Sequence, residues 1–301
     1  MDRFDVLKAK LNRVCPELEL LEQEPMSKHT TFRVGGPVLL MAIPKTAQQA
    51  AAAVQIAAEE GITPFFLGNG SNLLVADNGV NAFVIKSGGL TAVSVDEDVI
   101  VAESGILLSR LATVARNHCL TGLEFAHGIP GSLGGAVTMN AGAYDGEMSQ
   151  VVRSVTFINV AGELEVTDQF AFSYRHSAFE DGSRMILRVE LKLQKGEADA
   201  ISARMDDLKE RRRSKQPLEW PSAGSTFKRP QGYFAAALID QCGLKGLTVG
   251  GAQVSEKHAG FVINKGGATC ADILELMNQV RKRVFEQTGV TLEPEVKLLG
   301  R

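Results

Sequence analysis

The sequence predicts an α+β fold made of two domains. Three observations support this: a length of 301 residues, which suffices for two cores, a β-rich middle, and a helix-rich last third. Turn residues separate the β segments, whereas apolar residues recur at helical spacing in the last third. The β segments are 82–103, 155–166 and 189–194, and the helical segments are 199–213, 233–243 and 270–287. The pattern changes within 195–199, so we expect a first domain at 1–195 and a second at 196–301.

The remaining elements of the first domain follow in chain order. Residues 1–14 have apolar residues at helical spacing, and residues 47–61 form an alanine-rich helix that a glycine closes. Residues 63–75 comprise an apolar strand, a glycine turn and a second apolar run. Helical spacing returns over 106–122, again ending on glycine, and Ala161-Gly162 is expected to turn a hairpin.

The composition is that of an ordinary globular protein, with 45% hydrophobic and 22% charged residues. The N-terminus does not resemble a signal peptide, and no apolar run is long enough to cross a bilayer. The cysteines are far apart and form no C-x-x-C pair, which argues against a disulfide framework or a thiolate zinc site. We therefore expect a cytoplasmic protein without a metal. The cysteines are Cys15, Cys119, Cys242 and Cys270.

The net charge of −3 hides an asymmetry between the two parts of the chain. Residues 1–200 carry 16 Lys and Arg against 24 Asp and Glu, whereas residues 201–301 carry 16 against 11. A cationic last third indicates an anionic ligand. Nucleic acid is the less expected ligand, because no long basic stripe with interleaved aromatic residues is present. A small phosphorylated or carboxylated molecule fits better.

Two glycine-rich segments, 68–75 and 128–146, have the properties of anion-binding loops. The first begins like G-x-G-x-x-G, but Leu73 occupies the third glycine position, which disfavours a nicotinamide Rossmann domain. Glycines let backbone amides approach an anion, and short polar side chains add donors. Either loop alone is also explained by tight turns between strands. Two such loops about 60 residues apart favour a dinucleotide whose diphosphate they share.

The segment PSAGSTFKRP, residues 221–230, places a glycine-serine turn before two cations, Lys228 and Arg229. It does not fit the residue order of a P-loop, and it lacks the second glycine of a nucleophile elbow. A serine in a glycine turn usually serves the turn itself. The residues alone therefore leave the role of Ser225 open.

Seven sequence blocks in order resemble one family, the UDP-N-acetylenolpyruvoylglucosamine reductases (MurB). The resemblance spans nearly the whole chain. The blocks are TTFRVGG (30–36), GNGSNLLV (68–75), GIPGSLGGAVTMNAGAY (128–144), YRHSAF (174–179), AGSTFKRP (223–230), HAGFVINKG (258–266) and LEPEV (292–296).

The resemblance implies an FAD-binding module of the PCMH/vanillyl-alcohol-oxidase type, followed by a smaller α+β substrate-binding domain. It also implies non-covalent FAD, NADPH as co-substrate, and reduction of UDP-N-acetylglucosamine enolpyruvate to UDP-N-acetylmuramate in peptidoglycan synthesis. In that family two glycine loops hold the FAD diphosphate. The corresponding positions are Gly68, Asn69, Gly70, Ser71, Asn72, Leu73, Gly128, Ile129, Gly131, Ser132, Gly134, Gly135, Asn140 and Gly142.

Matched position by position, the family's proton donor falls on Ser225, its catalytic arginine on Arg175 and its glutamate on Glu295. The implied substrate contacts are Tyr174, Lys228, Arg229 and Asn264.

The chain departs from the family pattern at two places. Arg229 stands where other members have asparagine, and only a short QKGE segment follows Leu193, as in the shorter-loop subtype.

Two alternatives to the reductase remain open. One is a flavin oxidase of the same superfold, and the other is a non-enzymatic nucleotide-sugar-binding protein. A UDP-sugar is the expected partner, with no nucleic acid, membrane or obligate protein partner.

Overall fold

The computed structural model describes residues 2–300 and divides into two compact units. The first comprises 1–22, 39–69 and 82–211, and the second comprises 23–38, 70–81 and 212–301, with residues 1 and 301 outside the described part. Both units are discontinuous along the chain, whereas the sequence predicts two continuous domains that divide after residue 195. That assignment stays a prediction about functional domains.

Helices and strands are mixed in both units, so the α+β prediction is confirmed. The helices within residues 2–300 are α1 Arg3–Val14, α2 Ala47–Glu59, α3 Leu108–Asn117, α4 Leu133–Thr138, α5 Ala198–Lys215, α6 Ala235–Gln241 and α7 Cys270–Thr288. The strands are β1 Glu19–Pro25, β2 Pro37–Ile43, β3 Phe65–Leu67, β4 Leu73–Val75, β5 Val80–Lys86, β6 Val93–Asp96, β7 Val99–Glu103, β8 Leu120–Thr121, β9 Gly142–Ala143, β10 Gly146–Glu147, β11 Val152–Ile158, β12 Leu164–Thr167, β13 Met185–Lys192, β14 Gln194–Lys195, β15 Thr248–Val249, β16 Ala252–Val254, β17 Val262–Asn264 and β18 Lys297–Leu299.

The first unit is built on two sheets. A four-stranded sheet has the order β1-β2-β5-β3, with β3 and most residues of the other three strands in this unit. A five-stranded sheet has the order β12-β11-β13-β7-β6. Helices α1 and α2 pack apolar side chains, among them Leu11 and Val54, with Phe83 of β5. Helices α3 and α4 pack on the five-stranded sheet through a second core that includes Leu111 and Val137. The predicted hairpin at Ala161-Gly162 is confirmed, since β11 and β12 pair antiparallel and Gly162 has φ +84°.

The second unit packs α6 and α7 with the three-stranded sheet β15-β16-β17 around one apolar core. Helix α7 begins with a capping box of Thr269 and Asp272, and the Asp77 carboxylate accepts the amides of Cys270 and Ala271. These contacts satisfy amides that a helix start otherwise leaves unpaired. The helix ends at Gly289, which has φ +72°. Strand β18 pairs in parallel with β4.

Three local differences separate the structure from the sequence-based prediction. The helix expected over 106–122 ends at Asn117, because Leu120 and Thr121 leave it to pair with β14. Helix α4 lies inside the second glycine segment, where a loop was expected. Strands β15 to β17 add a sheet to the helix-rich last third. Within residues 2–300 no helix combines the length and the apolar character that a membrane span needs.

Candidate functional site

The two glycine loops meet inside the first unit. Asn69 donates its side-chain amide to the carbonyl of Pro130, at 2.6 Å. A Cβ added at Gly68 would lie 2.5 Å from the hydroxyl oxygen of Ser132 and 3.8 Å from the amide nitrogen of Gly135. A side chain at position 68 would therefore displace the Ser132 hydroxyl, whereas the backbone of the second loop lies at ordinary contact distance.

Ser132 precedes α4 at the N-cap position, yet its hydroxyl caps no amide. The amide of Gly134, which an N-cap serine commonly binds, donates instead to the carbonyl of Ser104, at 2.8 Å. Ser132 is 3% exposed, and within residues 2–300 its hydroxyl oxygen has no hydrogen-bond partner. A buried hydroxyl without a partner costs about 1–3 kcal/mol, so the site is suited to a ligand that supplies one.

The remainder of the first glycine loop belongs to the second unit. Gly70 has φ +62°, and its carbonyl accepts the amide of Thr31 at 3.2 Å. The Asn72 side-chain amide donates to the carbonyl of Glu295 at 3.1 Å. Ser71 is half-buried, and Leu73 starts the buried strand β4. Gly70 and Asn72 thus make hydrogen bonds that stabilise this unit, and their contact with a cofactor stays a prediction.

The second glycine segment also holds the YRHSAF block in place. Asn140 is 1% exposed, donates to the carbonyl of Ser173 at 3.1 Å and accepts the amide of Ser149 at 2.9 Å. The Ser177 hydroxyl donates to the carbonyl of Thr138 at 2.7 Å. Asn140, predicted to bind the cofactor, therefore uses both ends of its side chain within the protein.

Arg175 lies at the tip of this block, in a tight turn. Ser173 and His176 exchange two backbone hydrogen bonds of 3.2 Å around it. Arg175 has φ +56°, a left-handed backbone conformation that costs a residue other than glycine about 1–3 kcal/mol. Its guanidinium donates to the carbonyl of Gly142 at 3.2 Å and lies 5.1 Å from the centre of the Tyr174 ring, which is 53% exposed. Strain of this kind is concentrated at functional sites.

Ser225 lies on a segment of the second unit that is bonded along both edges. On one edge, Thr226 donates its amide to Gly260 and accepts the amide of Val262 on its hydroxyl. On the other edge, the amide of Glu295 donates to Thr226 at 2.8 Å. Gly224 turns the chain with φ +76°, and Ser225 is exposed. The structure thus brings the predicted proton donor and the predicted glutamate onto neighbouring segments.

The predicted substrate contacts of the second unit have different surroundings. The Lys228 ammonium lies 3.9 Å from the Glu293 carboxylate, and both side chains are well exposed, so this pair contributes little to stability. The Arg229 guanidinium stacks 3.9 Å from the centre of the Phe234 ring, which is 60% exposed. Phe234 could not be predicted from the sequence, because an aromatic residue before a helix carries no specific signal.

Asn264 is buried, with 7% of its surface exposed. Its side-chain amide donates to Phe32 at 3.0 Å, and its side-chain oxygen accepts the amides of Gly266 and Ala268. The side chain therefore connects the turn after β17 with the segment that contains Phe32. Its contact with substrate stays a prediction.

The predicted site residues are divided between the two units. The second unit holds Ser225, Glu295, Lys228, Arg229 and Asn264, together with the loop residues from Gly70 onward. Within residues 2–300 no group of three or more His, Cys, Asp or Glu side chains is arranged to hold a metal ion. The first unit holds Arg175, Tyr174, Gly68, Asn69, Gly128, Ile129, Gly131, Ser132, Gly134, Gly135, Asn140 and Gly142.

Two family models match the chain. Residues 38–168 match an FAD binding domain, and residues 216–299 match the C-terminal domain of UDP-N-acetylenolpyruvoylglucosamine reductase. The first of these ranges includes both glycine loops, and the second includes Ser225 and Glu295.

Similar proteins with curated names extend over the full length. The UDP-N-acetylenolpyruvoylglucosamine reductase of Clostridium novyi is 48% identical over 97% of this chain and 95% of its own length. The reductase of Clostridium kluyveri is 47% identical over 100% of this chain and 99% of its own. The crystal structure of the UDP-N-acetylenolpyruvylglucosamine reductase of Thermus caldophilus is 35% identical and matches 94% of this chain and 99% of its own, with a TM-score of 0.80.

Proposed function

The chain belongs to the UDP-N-acetylenolpyruvoylglucosamine reductase family, and from that membership we propose that it reduces UDP-N-acetylglucosamine enolpyruvate to UDP-N-acetylmuramate with NADPH as reductant. The observation that carries the proposal is the match to named reductases at 47–48% identity over nearly the entire chain. The protein is an FAD-dependent oxidoreductase with an FAD-binding domain followed by a C-terminal domain. The product is a precursor of peptidoglycan, and we propose a cytoplasmic location because nucleotide-linked sugars and NADPH are found there.

The glycine loops of the first unit fit a dinucleotide cofactor. Gly68 and Gly135 leave space beside an unpaired, buried Ser132 hydroxyl, and an FAD diphosphate supplies acceptor oxygens for such a donor. When bound, FAD supplies hydride transfer, taking a hydride from NADPH and delivering it to the terminal carbon of the enolpyruvyl group. Ser132 and the amides around Gly68 are the groups that would hold the cofactor.

Arg175 is proposed to stabilise the charge that develops on the substrate. Addition of hydride to the terminal carbon of CH2=C(OR)COO⁻ leaves negative charge on the α-carbon and the carboxylate. A guanidinium binds carboxylate oxygens in a fork and stabilises this charge as it forms. The bond to the Gly142 carbonyl and the tight turn support this role, because they restrict the motion of the side chain.

Ser225 is proposed to protonate the α-carbon. A serine hydroxyl is a weak acid, but the acceptor is a strongly basic carbanion, and the hydroxyl stays protonated over the working pH range. Lys228, three residues further on, is proposed to stabilise the alkoxide or to bind the substrate diphosphate. Glu295 is proposed to donate a hydrogen bond to the enolate in its protonated form. Its position beside Thr226 supports this role.

The contacts to the rest of the substrate are proposed from position and exposure. Tyr174 and Arg229 are exposed and carry the polar groups that a UDP-sugar requires. Arg229 stands where other family members have asparagine, and its guanidinium stacks on Phe234. A guanidinium binds phosphate in a bidentate manner, which an asparagine amide does not, so Arg229 is suited to the substrate diphosphate.

The test is an anaerobic visible absorption spectrum of the purified protein, first alone, then with NADPH, then with UDP-N-acetylglucosamine enolpyruvate. We expect a flavin spectrum that bleaches with NADPH and returns with the enolpyruvyl substrate. Bleaching without recovery would keep the flavoprotein but overturn the substrate. In a parallel aerobic assay, steady oxygen consumption during turnover would instead indicate a flavin oxidase. Binding of the UDP-sugar without any NADPH turnover would indicate a non-enzymatic binding protein.

A further inference from the structure

A second unpaired hydroxyl lies beside the predicted cofactor loop. Ser104 directly follows β7, is 1% exposed, and is bonded by its backbone on both sides: its amide donates to Leu187 and its carbonyl accepts the amide of Gly134, both at 2.8 Å. In the described part of the chain its hydroxyl oxygen has no hydrogen-bond partner. Within residues 2–300 only Ser104 and Ser132 have a buried side-chain polar atom that lacks a hydrogen-bond partner.

Most buried hydroxyls are hydrogen-bonded, so an unpaired one needs an explanation. Other buried serines follow the rule: the Ser177 hydroxyl donates to Thr138, and that of Ser255 accepts two backbone amides. Both exceptions border the start of α4 in the first unit. Their common location indicates that both hydroxyls lack a partner for the same reason.

One backbone hydrogen bond joins the surroundings of the two hydroxyls. The carbonyl of Ser104 accepts a hydrogen bond from the amide of Gly134, one of the two amides that Ser132 could engage as an N-cap. A Cβ added at Gly134 would lie 2.8 Å from the Cβ of Ser104, so the close approach requires glycine at this position. The fold thus leaves two serine hydroxyls unsatisfied next to the loop whose glycines make room for a diphosphate.

We propose that Ser104 is a cofactor-positioning residue whose hydroxyl donates a hydrogen bond to a diphosphate oxygen of FAD, beside the one from Ser132. Diphosphate oxygens act only as acceptors, and a serine hydroxyl rotates freely to act as donor. A hydrogen bond to a charged acceptor is about twice as strong as a neutral one. The inference rests on the FAD site proposed above and adds a residue that sequence reasoning did not select.

The test compares Ser104→Ala with the unsubstituted protein, both as full chains stripped of flavin and titrated with FAD. We expect the Kd for FAD to rise about tenfold or more, because one charge-assisted hydrogen bond is lost. The Tm of the flavin-free variant should be unchanged or higher, because alanine removes a hydroxyl that has no partner there. The matched control is Ser255→Ala, which is equally buried but bonded within the fold. It should lower the Tm of the flavin-free protein and leave the Kd for FAD unchanged.

Three outcomes would overturn the inference. An unchanged Kd for FAD in Ser104→Ala would mean that the hydroxyl does not contact the cofactor. A weaker Kd accompanied by a lowered Tm of the flavin-free variant would make Ser104 a structural residue. Failure of the unsubstituted protein to bind FAD would overturn both this inference and the proposed function. Equal FAD binding by the unsubstituted protein and Ser104→Ala would overturn this inference alone.

Discussion

The backbone amide of Glu295 donates a 2.8 Å hydrogen bond to the carbonyl of Thr226, the residue directly after Ser225. A second bond of 2.8 Å joins the Lys228 amide to the Glu293 carbonyl, so the two segments run side by side. Both bonds involve backbone atoms only. Replacing the side chains of Ser225 and Glu295 therefore leaves the donors and acceptors of these two hydrogen bonds in place.

Ser225→Ala should separate the two half-reactions of the enzyme. Reduction of FAD by NADPH does not require protonation of the α-carbon, so its rate should be unchanged. Reoxidation by the enolpyruvyl substrate should slow by about 100- to 10,000-fold, the usual contribution of a positioned proton donor. Stopped-flow absorbance under anaerobic conditions measures both rates.

The control for this experiment is Ser222→Ala, in the same segment and half-buried. Both of its half-reactions should proceed at the rates of the unsubstituted protein. Reoxidation of Ser225→Ala within tenfold of normal would refute Ser225 as the proton donor.

Arg175 should be replaceable by glycine with less loss of stability than by alanine. Both variants lack the guanidinium, and turnover should fall about 100- to 1000-fold in each. Only alanine retains the strain of φ +56°, so the unfolding free energy of Arg175→Gly should exceed that of Arg175→Ala by about 1 kcal/mol. Urea denaturation of the two variants gives the difference directly.

The same pair of substitutions at His176 provides the comparison. This neighbour is exposed and is not among the positive-φ residues of the described chain. Glycine should be the less stable choice there, because it gains more freedom in the unfolded chain. If alanine is the more stable residue at both positions, the turn carries no strain at Arg175.

Elements specified by local residues could be predicted from the sequence. The alanine-rich helix over 47–61 ends before Gly61, which has φ +63°, and the hairpin turn at Gly162 has φ +84°. In each case a glycine supplies a backbone conformation that its immediate neighbours cannot adopt.

Features that depend on distant backbone contacts could not be predicted. Helix α4 has six residues, two of them glycines, and its first turn is held by the carbonyls of Ser104 and Ile106. Strands β15 to β17 have only two or three residues each, too few to show a period. The candidate catalytic residues were found through resemblance to a family, whereas the unpaired hydroxyl of Ser104 depends on a close approach that the sequence does not reveal.

Asn264→Ala should affect stability before it affects catalysis. The substitution removes three hydrogen bonds from a buried side chain, and we expect the unfolding free energy to fall by about 2 kcal/mol or more. At a temperature where the variant is fully folded, its KM for the enolpyruvyl substrate should change less than threefold. Thermal melts and steady-state kinetics measure the two effects.

The exposed neighbour Lys265 provides the matched control, since Lys265→Ala removes only a stacking contact with Trp220. Its stability should stay within about 0.5 kcal/mol of the unsubstituted protein. A large rise in KM for Asn264→Ala with unchanged stability would instead support the substrate contact that the family resemblance implies.

His258 should make the protein less stable as the pH falls below about 6.5, the ordinary pKa of an unfolded histidine. Burial lowers the pKa of this side chain in the folded protein, and the positive charge of Lys245 acts in the same direction. Its Nδ1 accepts the amide of Gly260 at 3.2 Å, a bond that protonation would break. Below pH 6.5 the unfolded chain therefore binds a proton that the folded chain does not, and stability is lost until the folded pKa is passed.

Urea denaturation at pH 7.5 and pH 5 should show a smaller loss for His258→Asn, which keeps an acceptor but does not titrate in this range. The pKa of His127 is also lowered by burial, but this residue is present in both proteins and cancels in the comparison. An equal loss in the two proteins would mean that His258 does not contribute to the pH dependence.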